Sequence, residues 1–174
     1  MKKIVVLTGA GISAESGIKT FRDADGLWEG HDVMSVASPE GWRRNPELVT
    51  EFYNQRRAQL AQVAPNEGHL ALKRLEVKYN TFIVTQNVDD LHERAGSSKI
   101  LHLHGELIKM RSVQYEDDIY EVGYNEVPYG SKCPKGTLLR PHIVWFGEAV
   151  PMIEPAIDLV SKADKLIIVG TSLE

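Results

Sequence analysis

The sequence predicts an α/β fold in which a parallel sheet has helices on both faces and carries a small inserted subdomain. Three runs rich in aliphatic and β-branched residues, 4–7, 81–85 and 165–169, have the length and composition of buried parallel strands. The first and last of these runs are each followed at once by glycine and small polar residues. A strand that ends in such a turn is typical of a Rossmann-like nucleotide-binding domain.

The composition limits the classes of function. Of 174 residues, 43% are hydrophobic and 25% are charged, which is typical of a globular domain. The net charge of -4 argues against nucleic acid or an anionic membrane as a partner. The apolar run after Met1 is shorter than a signal-peptide core. Cys133 is the only cysteine, so no intramolecular disulfide can form, which is consistent with a cytoplasmic location.

The first turn, residues 9–17, is the candidate cofactor site. Gly9 and Gly11 permit a tight turn and a close approach of the backbone to a ligand. We expect Ser13 to cap the helix that follows, and Gly17 to end that helix after about one turn. The spacing of Gly9, Gly11 and Ala14 fits a dinucleotide-binding turn. Many ordinary strand-to-helix turns also carry two glycines, so the spacing alone leaves both interpretations open.

The loop over residues 20–28 differs from the second strand of a plain dinucleotide-binding unit. It contains Phe21, Arg22 and Trp28 between Asp and Gly residues. Beside a phosphate site, such a loop is expected to fold over the ligand as a lid. The alternative is a surface loop whose aromatic side chains pack inward.

Two helix-start signals follow, Ser38-Pro39-Glu40 and Asn45-Pro46-Glu47, and the second predicts a helix to about Ala64. On a helical wheel, Arg56 lies in the middle of an apolar face, and several polar residues, among them Asn54, point away from it. The apolar face consists of Leu48, Val49, Phe52, Tyr53, Leu60 and Val63. Arg56 either extends to solvent or pairs with a core acid, or it forms a carboxylate-binding pair with Tyr53.

Polar residues also follow the strand over 81–85. Gln86-Asn87-Val88-Asp89-Asp90 lies where the chemistry of open parallel sheets is found, beyond the carboxyl ends of the strands. Asp89 or Asp90 has a second interpretation as the cap of a helix over 91–95. His69, near the start of an earlier helix, is interpreted as structural.

The alternation of residues 100–106 predicts one strand with His102 and His104 on the same face. Two histidines beside Glu106 suggest a metal site, but a third convergent ligand is missing, so we predict no metal here. His104, at the end of the strand before Gly105, is the better candidate for a general base near neutral pH.

The remaining chain divides into an insert and a return to the core. Periodicity is lost over 112–136, which predicts a small subdomain inserted into a Rossmann-like domain formed by 1–111 and 137–174, with a helical insert at about 38–64. Residues 144–147 are predicted as an edge that pairs with an extended peptide, or as an ordinary strand. Gly170-Thr171-Ser172 follows the last strand and repeats the pattern of the first turn.

Together these segments resemble the sirtuin family of NAD-dependent protein lysine deacylases. They occur in the family's order and span nearly the whole chain. The matching segments are 9–18 with Thr20-Phe21-Arg22, Thr85-Gln86-Asn87-Val88-Asp89, Leu103-His104-Gly105-Glu106, Leu139-Arg140-Pro141 with 144–148, and Gly170-Thr171-Ser172.

The resemblance implies that NAD lies in the cleft between the Rossmann-like domain and the small subdomain. The cofactor-binding residues that it implies are Gly9, Ala10, Gly11, Ser13, Glu15, Gly17, Thr20, Phe21, Arg22, Trp28, Gln86, Asn87, Val88, Asp89, Gly170, Thr171 and Ser172. The acyl oxygen of the substrate displaces nicotinamide, and lysine and O-acyl-ADP-ribose are the products. The implied catalytic residues are Asn87, Asp89 and His104, with His104 as the base that deprotonates a ribose hydroxyl.

The resemblance also implies acyl-lysine proteins or peptides as substrates. Val144, Trp145, Phe146 and Gly147 would hold the peptide. Tyr53 and Arg56 look like the signature of the class III branch, whose members remove acidic acyl groups such as succinyl and malonyl. The alternatives are NAD glycohydrolysis or ADP-ribosyl transfer, and a truncated, weakly active or inactive module that binds NAD or acyl-peptides.

Two features depart from the family pattern. Ser112 and Gly136 stand where two of four zinc-binding cysteines are expected, and the single thiol of Cys133 cannot complete a tetrahedral site, so we predict that structural zinc is absent. Family members also continue beyond the second glycine turn. The chain as given is therefore expected to lack part of the adenosine wall and to expose an apolar edge at 165–169.

Overall fold

The computed structural model describes residues 1–20 and 27–173. The described strands are β1 (Lys3–Thr8), β2 (Leu27–Trp28), β3 (His31–Asp32), β4 (Asn80–Thr85), β5 (Ile100–His102), β6 (Gly105–Ser112), β7 (Ile119–Glu121), β8 (Leu139–Ile143) and β9 (Lys165–Val169). The described α-helices are α1 (Val33–Val36), α2 (Pro39–Arg44), α3 (Pro46–Leu60), α4 (Glu67–Leu75), α5 (Leu91–Arg94) and α6 (Ile153–Ser161), and a 3₁₀ helix spans Ala10–Ser16.

A four-stranded parallel sheet of order β5-β4-β1-β9 has helices on both faces. On one face, Val6 and Ile83 pack in one apolar cluster with Leu72 of α4. On the other face, Val5 packs in a second cluster with Ala156 of α6. Because side chains alternate across a strand, the continuous apolar run of β1 is what burial on both faces requires. The predicted α/β class is confirmed.

The helix-start signals around α2 and α3 are confirmed by their caps. The Ser38 hydroxyl accepts the amide of Gly41 at 3.0 Å, and the Asn45 side chain accepts the amide of Leu48 at 3.1 Å. The end of α3 differs from the prediction, because the helix stops at Leu60 rather than near Ala64.

The predicted outward direction of Asn54 is wrong. Asn54 is 8% exposed, and its side chain exchanges hydrogen bonds with the backbone of Val127 at 2.9 and 3.0 Å. Arg57, on the same side of α3, is 1% exposed and donates to the carbonyl oxygens of Asn125 and Leu107. The helix therefore buries polar side chains as well. Backbone groups of residues 107–127 satisfy the hydrogen-bonding groups of these side chains.

The predicted single strand over residues 100–106 is also wrong. The chain leaves the parallel sheet after His102 and enters an antiparallel sheet of order β7-β6-β8 at Gly105. Gly105 has φ +86°, and a Cβ atom there would lie 2.0 Å from the carbonyl oxygen of His142. Only glycine fits this turn. Because β5 ends at His102 and β6 begins at Gly105, His104 lies between the two strands and does not share a strand face with His102.

The antiparallel sheet contains residues on both sides of the predicted 112–136 subdomain, and the division of the chain into domains stays a prediction. In the part of the chain that the structure describes, no helix is long and apolar enough to span a membrane.

Candidate active site

The carboxyl edge of the parallel sheet brings the two glycine turns into contact. The amide of Gly9 donates to the Val169 carbonyl at 3.0 Å, and that of Gly11 donates to the Gly170 carbonyl at 2.9 Å. A Cβ atom at Gly9 would lie 2.6 Å from the Thr171 Cβ, and one at Gly11 would lie 2.8 Å from the Gly170 Cα. The two glycines therefore permit one turn to pack on the other.

Ser13 is not the helix cap that the sequence suggested. The 3₁₀ helix begins directly after Gly9, and Ser13 lies inside it, 1% exposed. The Ser13 hydroxyl donates to the Asp89 carboxylate at 2.8 Å, and the Asn87 side-chain amide donates to the Ser13 Oγ at 3.4 Å. Ser13 thus ties the first turn to the segment that follows β4. Gly17, with φ +100°, ends the 3₁₀ helix as predicted.

A cavity of about 360 Å³ lies beside these turns, a volume within the usual range for small-molecule sites. It collects residues from the first turn, α3, the end of β4 and the segment after β8. The predicted site residues that line it are Ala10, Ser13, Trp28, Arg56, Gln86, Asn87, Val88, Asp89, His104, Val144, Trp145, Phe146 and Gly147.

Other predicted site residues lie outside the cavity lining. Gly9, Gly11, Gly170, Thr171 and Ser172 belong to the two packed turns, and Glu15, Gly17, Thr20 and Tyr53 do not line the cavity either. Phe21 and Arg22, and with them most of the proposed lid, lie outside the described residues.

Sequence reasoning missed part of the wall. The lining residues that it did not single out as site residues are Ile18, Lys19, Glu29, Ala37, Gln59, Leu60, Leu107, Ile143, Glu148 and Val150. Most are apolar or long-chain residues without a chemical signature. Glu148 is the exception, because it ends the segment 144–148 that the sequence analysis had already picked out.

His104 lines the cavity with a defined tautomer. Its Nδ1 lies 3.0 Å from the carbonyl oxygen of Gln86. A carbonyl only accepts hydrogen bonds, so Nδ1 carries the hydrogen and the neutral ring keeps its lone pair on Nε2. The fold therefore leaves Nε2 as the nitrogen that can take a proton.

Asn87 and Asp89 form a buried polar wall. The Asn87 side chain donates to the Gly9 carbonyl at 3.0 Å, and Asp89 accepts the Leu91 amide at 3.0 Å in addition to the Ser13 hydroxyl. Asp89 therefore also satisfies the first backbone amide of α5, whereas Asp90 is the N-cap residue and its side chain makes no capping hydrogen bond. Burial raises the pKa of Asp89, although the hydrogen bonds from Leu91 and Ser13 oppose this rise.

Residues 144–147 form a turn rather than a strand. The amides of Val144 and Phe146 donate to the carbonyl oxygens of His104 and Ala37 at 2.8 and 2.9 Å, so neither is free to pair with a peptide. Gly147 has φ +88°, which permits the turn.

An ion pair fixes this turn. The guanidinium of Arg140 donates to both carboxylate oxygens of Glu148 at 2.9 Å and lies 3.6 Å from the centre of the Trp145 ring. Burial raises the pKa of Glu148, but the hydrogen bonds from Arg140 and the Trp145 amide and the charges of Arg140 and Arg111 together outweigh it, and the net shift is downward. Glu148 is thus held as an anion that also accepts the Trp145 amide at 2.9 Å.

Tyr53 and Arg56 have different surroundings. Tyr53 is fully buried, and its hydroxyl accepts the indole N–H of Trp145 at 3.1 Å. Arg56 lines the cavity with its guanidinium 4.8 Å from the Phe52 ring, and its Nε is buried without a hydrogen-bond partner among residues 1–20 and 27–173.

The residues at the expected zinc position do not fit a zinc site. The Cys133 Sγ lies 3.0 Å from the Thr137 hydroxyl, which in turn lies 2.6 Å from the Ser112 hydroxyl. The Ser112 Oγ also accepts the amides of Gln114 and Tyr115 at 3.1 and 3.0 Å. One thiol and two hydroxyls form a hydrogen-bonded chain rather than a tetrahedral thiolate set. The absence of zinc stays a prediction.

Comparisons with known proteins identify the family and the fold. Residues 9–174 match the Sir2 family. An NAD-dependent protein deacylase of Helicobacter pylori is 61% identical over 174 residues, which cover 100% of this chain and 76% of the relative. A complex of a Sir2 homologue with ADP-ribose has a TM-score of 0.89 at 43% identity, covering 98% of this chain and 70% of the homologue. A Sir2 homologue in complex with NAD has a TM-score of 0.85 at 44% identity, covering 98% and 68%.

Proposed function

The chain belongs to the Sir2 family and is an NAD-dependent protein lysine deacylase, and we propose that it removes succinyl and malonyl groups as well as acetyl groups. The observation that supports this proposal is the buried Nε of Arg56 in the cavity wall, which has no hydrogen-bond partner in the described part of the chain. A buried donor without an acceptor costs about 1–3 kcal/mol. The carboxylate of an acidic acyl group would supply that acceptor and the opposite charge.

Tyr53 is the second group that we assign to the acidic acyl tail, although its side chain lies behind the present cavity lining. Its hydroxyl oxygen accepts a hydrogen bond from Trp145, which leaves the hydroxyl hydrogen available for donation. A phenol and a guanidinium on one side of a helix form a donor pair suited to a carboxylate.

We assign the NAD side of the site to the first turn and to Gln86, Asn87, Val88 and Asp89. When bound, NAD supplies a ribose carbon that is attacked by the acyl oxygen as nicotinamide leaves. Asn87 and Asp89 are preorganised by Gly9, Ser13 and Leu91, so they can meet polar groups of the cofactor without reorganisation.

We assign the general base to His104. The Gln86 carbonyl holds the Nδ1 hydrogen, so Nε2 is free to remove a proton from a ribose hydroxyl. The apolar wall of Trp145, Val144 and Phe146 would exclude water from this step, which limits simple hydrolysis of NAD. Glycohydrolysis therefore ranks below deacylation.

Acyl-lysine proteins or peptides are the substrates that we propose, and the net charge of -4 favours them over nucleic acid. We also propose a cytoplasmic location, supported by a single cysteine in the sequence.

The function is tested by incubating the protein with NAD and acetyl-, succinyl- or malonyl-lysine peptides, followed by mass spectrometry. The expected products are nicotinamide, the free lysine peptide and O-acyl-ADP-ribose with each acyl group. Release of nicotinamide with unchanged peptide would instead identify an NAD glycohydrolase. Turnover of the acetyl peptide alone would refute the proposed acyl range.

A further inference from the structure

A buried imidazole lies behind the Asn87 wall and outside the cavity. The Nδ1 of His102 lies 3.0 Å from the backbone carbonyl oxygen of Asn87, and its Nε2 lies 2.5 Å from a carboxylate oxygen of Glu93. A second carboxylate, that of Glu106, lies 3.7 Å from the same Nε2. The His102 side chain is only 8% exposed.

The two short contacts define the state of the ring. A carbonyl oxygen only accepts hydrogen bonds, and so does an ionised carboxylate. Both nitrogens of His102 must therefore carry a hydrogen to make both bonds, which requires the imidazolium cation. A neutral ring has one hydrogen and can satisfy either Asn87 or Glu93, but not both.

The surrounding charges favour the cation. Glu106 also forms an ion pair with Lys109 at 2.6 Å, so it is only partly available to His102. The charged and titratable groups that influence His102 are Glu93 and His92 from α5, Asp89 from the segment after β4, and Glu106 with Lys109 from β6. Burial lowers the pKa of His102, but the hydrogen bond and charge of Glu93 and the charge of Glu106 outweigh it, and the net shift is upward. Burial raises the pKa of Glu93, but the hydrogen bond and charge of His102, with smaller contributions from a backbone amide and His92, together outweigh it, and the net shift is downward.

We propose that His102 is a positioning residue for deacylation, in which its imidazolium, paired with Glu93, holds the backbone of Asn87 and with it the Asn87–Asp89 wall of the cavity. This inference rests on the proposed function. Asn87 is anchored on its other sides by the Thr85 hydroxyl, which accepts its amide at 3.0 Å, and by the Gly9 carbonyl. The bond from His102 is the anchor that depends on pH.

Loss of the His102 proton should release either Asn87 or Glu93. Above the pKa of His102, the Nε2 lone pair would face the Glu93 carboxylate if Nδ1 keeps its hydrogen. The wall would then be held less firmly, and kcat would fall while KM for the peptide changes little. His102 would thus set an alkaline limb of the pH profile.

The first test compares pH profiles of kcat and KM for wild type, Glu93→Gln and Glu67→Gln with an acetyl-lysine peptide. Removing the charge of Glu93 should move the alkaline limb toward lower pH by about one unit, the size expected for an adjacent opposite charge. Glu67→Gln is the matched control, since the side chain of Glu67 is 82% exposed on α4, and its limb should not move. A limb that stays in place in Glu93→Gln, or that moves equally in both variants, overturns the proposal.

A second measurement does not depend on turnover. In NMR titrations of the wild-type chain, the His102 ring and the amides of residues 87–89 should change with one shared midpoint, which Glu93→Gln lowers. Independent midpoints would overturn the positioning role even if the protein were inactive, whereas inactivity with a shared midpoint would count only against the proposed function.

A metal titration addresses the rival role of this cluster. The ligand atoms of Glu93, His102 and Glu106 lie within 4.8 Å of one another. The expected result with chelator-treated protein is no tight binding of added Zn²⁺. Stoichiometric zinc binding that Glu93→Gln abolishes would identify a metal site instead and overturn the proposal.

Discussion

The indole N–H of Trp145 donates to the hydroxyl oxygen of Tyr53 at 3.1 Å, and neither residue is more than 2% exposed. This bond joins α3 to the turn that follows β8, two walls of the same cavity. The turn is held on its other side by the bidentate pair of Arg140 and Glu148. The substrate side of the site is therefore built around a buried aromatic pair rather than around a free peptide-binding edge.

Tyr53→Phe should destabilise the protein. Without the phenol oxygen, the Trp145 N–H stays buried and unsatisfied, at a cost of about 1–3 kcal/mol in the free energy of unfolding. Urea unfolding of wild type and variant measures this cost. Tyr129→Phe is the control, because Tyr129 is 43% exposed and its change should be near zero. Equal stability of Tyr53→Phe and wild type would show that the bond contributes nothing.

Arg56→Met should reduce activity selectively. Loss of the charged donor should lower kcat/KM for a succinyl-lysine peptide by about ten- to a hundredfold, the range for a charge-assisted hydrogen bond, and change acetyl-lysine turnover little. Steady-state kinetics with both peptides measure the ratio. An equal loss on both substrates would assign Arg56 a structural role and remove the support for an acidic acyl pocket.

Arg57→Met gives the opposite pattern and is the matched control for Arg56. Arg57 is buried and donates to Asn125, Leu107 and the side chain of Asn54, and burial lowers its pKa to about 10. Its removal should destabilise the fold by roughly 2–4 kcal/mol without altering the ratio of succinyl to acetyl turnover. A melting temperature equal to that of wild type would contradict this structural role.

His104→Ala should block acyl transfer but spare the earlier step. The base is needed only after nicotinamide has left, so exchange of labelled nicotinamide into NAD should persist while deacylation falls by about 10²–10⁴-fold. Both rates are measured on the same preparation with the same peptide. Wild-type deacylation by the variant would remove His104 from the mechanism.

Stability should fall as the pH drops below about 6.5, partly through His92. Burial lowers the pKa of His92 to about 4, against an unfolded value of about 6.5. Between these values the unfolded chain binds a proton that the folded chain does not, so this group removes up to about 1.4 kcal/mol per pH unit of acidification. The free energy of unfolding, measured with urea at pH values from 7.5 to 4.5, should fall less steeply on acidification for His92→Gln than for wild type. Identical slopes would contradict the buried neutral state.

Chelation should leave the protein unchanged. Ser112, Thr137 and Cys133 already satisfy one another by hydrogen bonds, so we expect no stoichiometric zinc in elemental analysis and no change in melting temperature with a chelator. Copurified zinc that a chelator removes with loss of stability would refute the prediction.

Arg56 illustrates how much of the site could be predicted from the sequence. The helical period placed Arg56 on an apolar face, and Arg56 does line the cavity. The same period did not indicate that Arg57 and Asn54 are buried. A helical wheel shows only the distribution of hydrophobic residues around the helix, and the carbonyl oxygens that accept from these two side chains belong to residues 107–127.

The histidines illustrate a second limit. Alternation over residues 100–106 predicted a common face for His102 and His104, but the backbone turns at Gly105, where His142 leaves no room for a Cβ atom. A local pattern cannot reveal a contact with a residue that is distant in sequence.

The sequence by itself determined the sheet, the turns at its carboxyl edge and the chemical groups that those turns carry. These features follow from local rules, because strand burial, helix caps and glycine turns depend on neighbours in the chain. Only the tertiary structure decided which groups meet: Gly11 with Gly170, Ser13 with Asp89, Trp145 with Tyr53, and His102 with Asn87 and Glu93. These pairings arise from packing between distant segments, where geometry within a few tenths of an ångström selects the hydrogen-bond partner, and that information is not present in any one stretch of sequence.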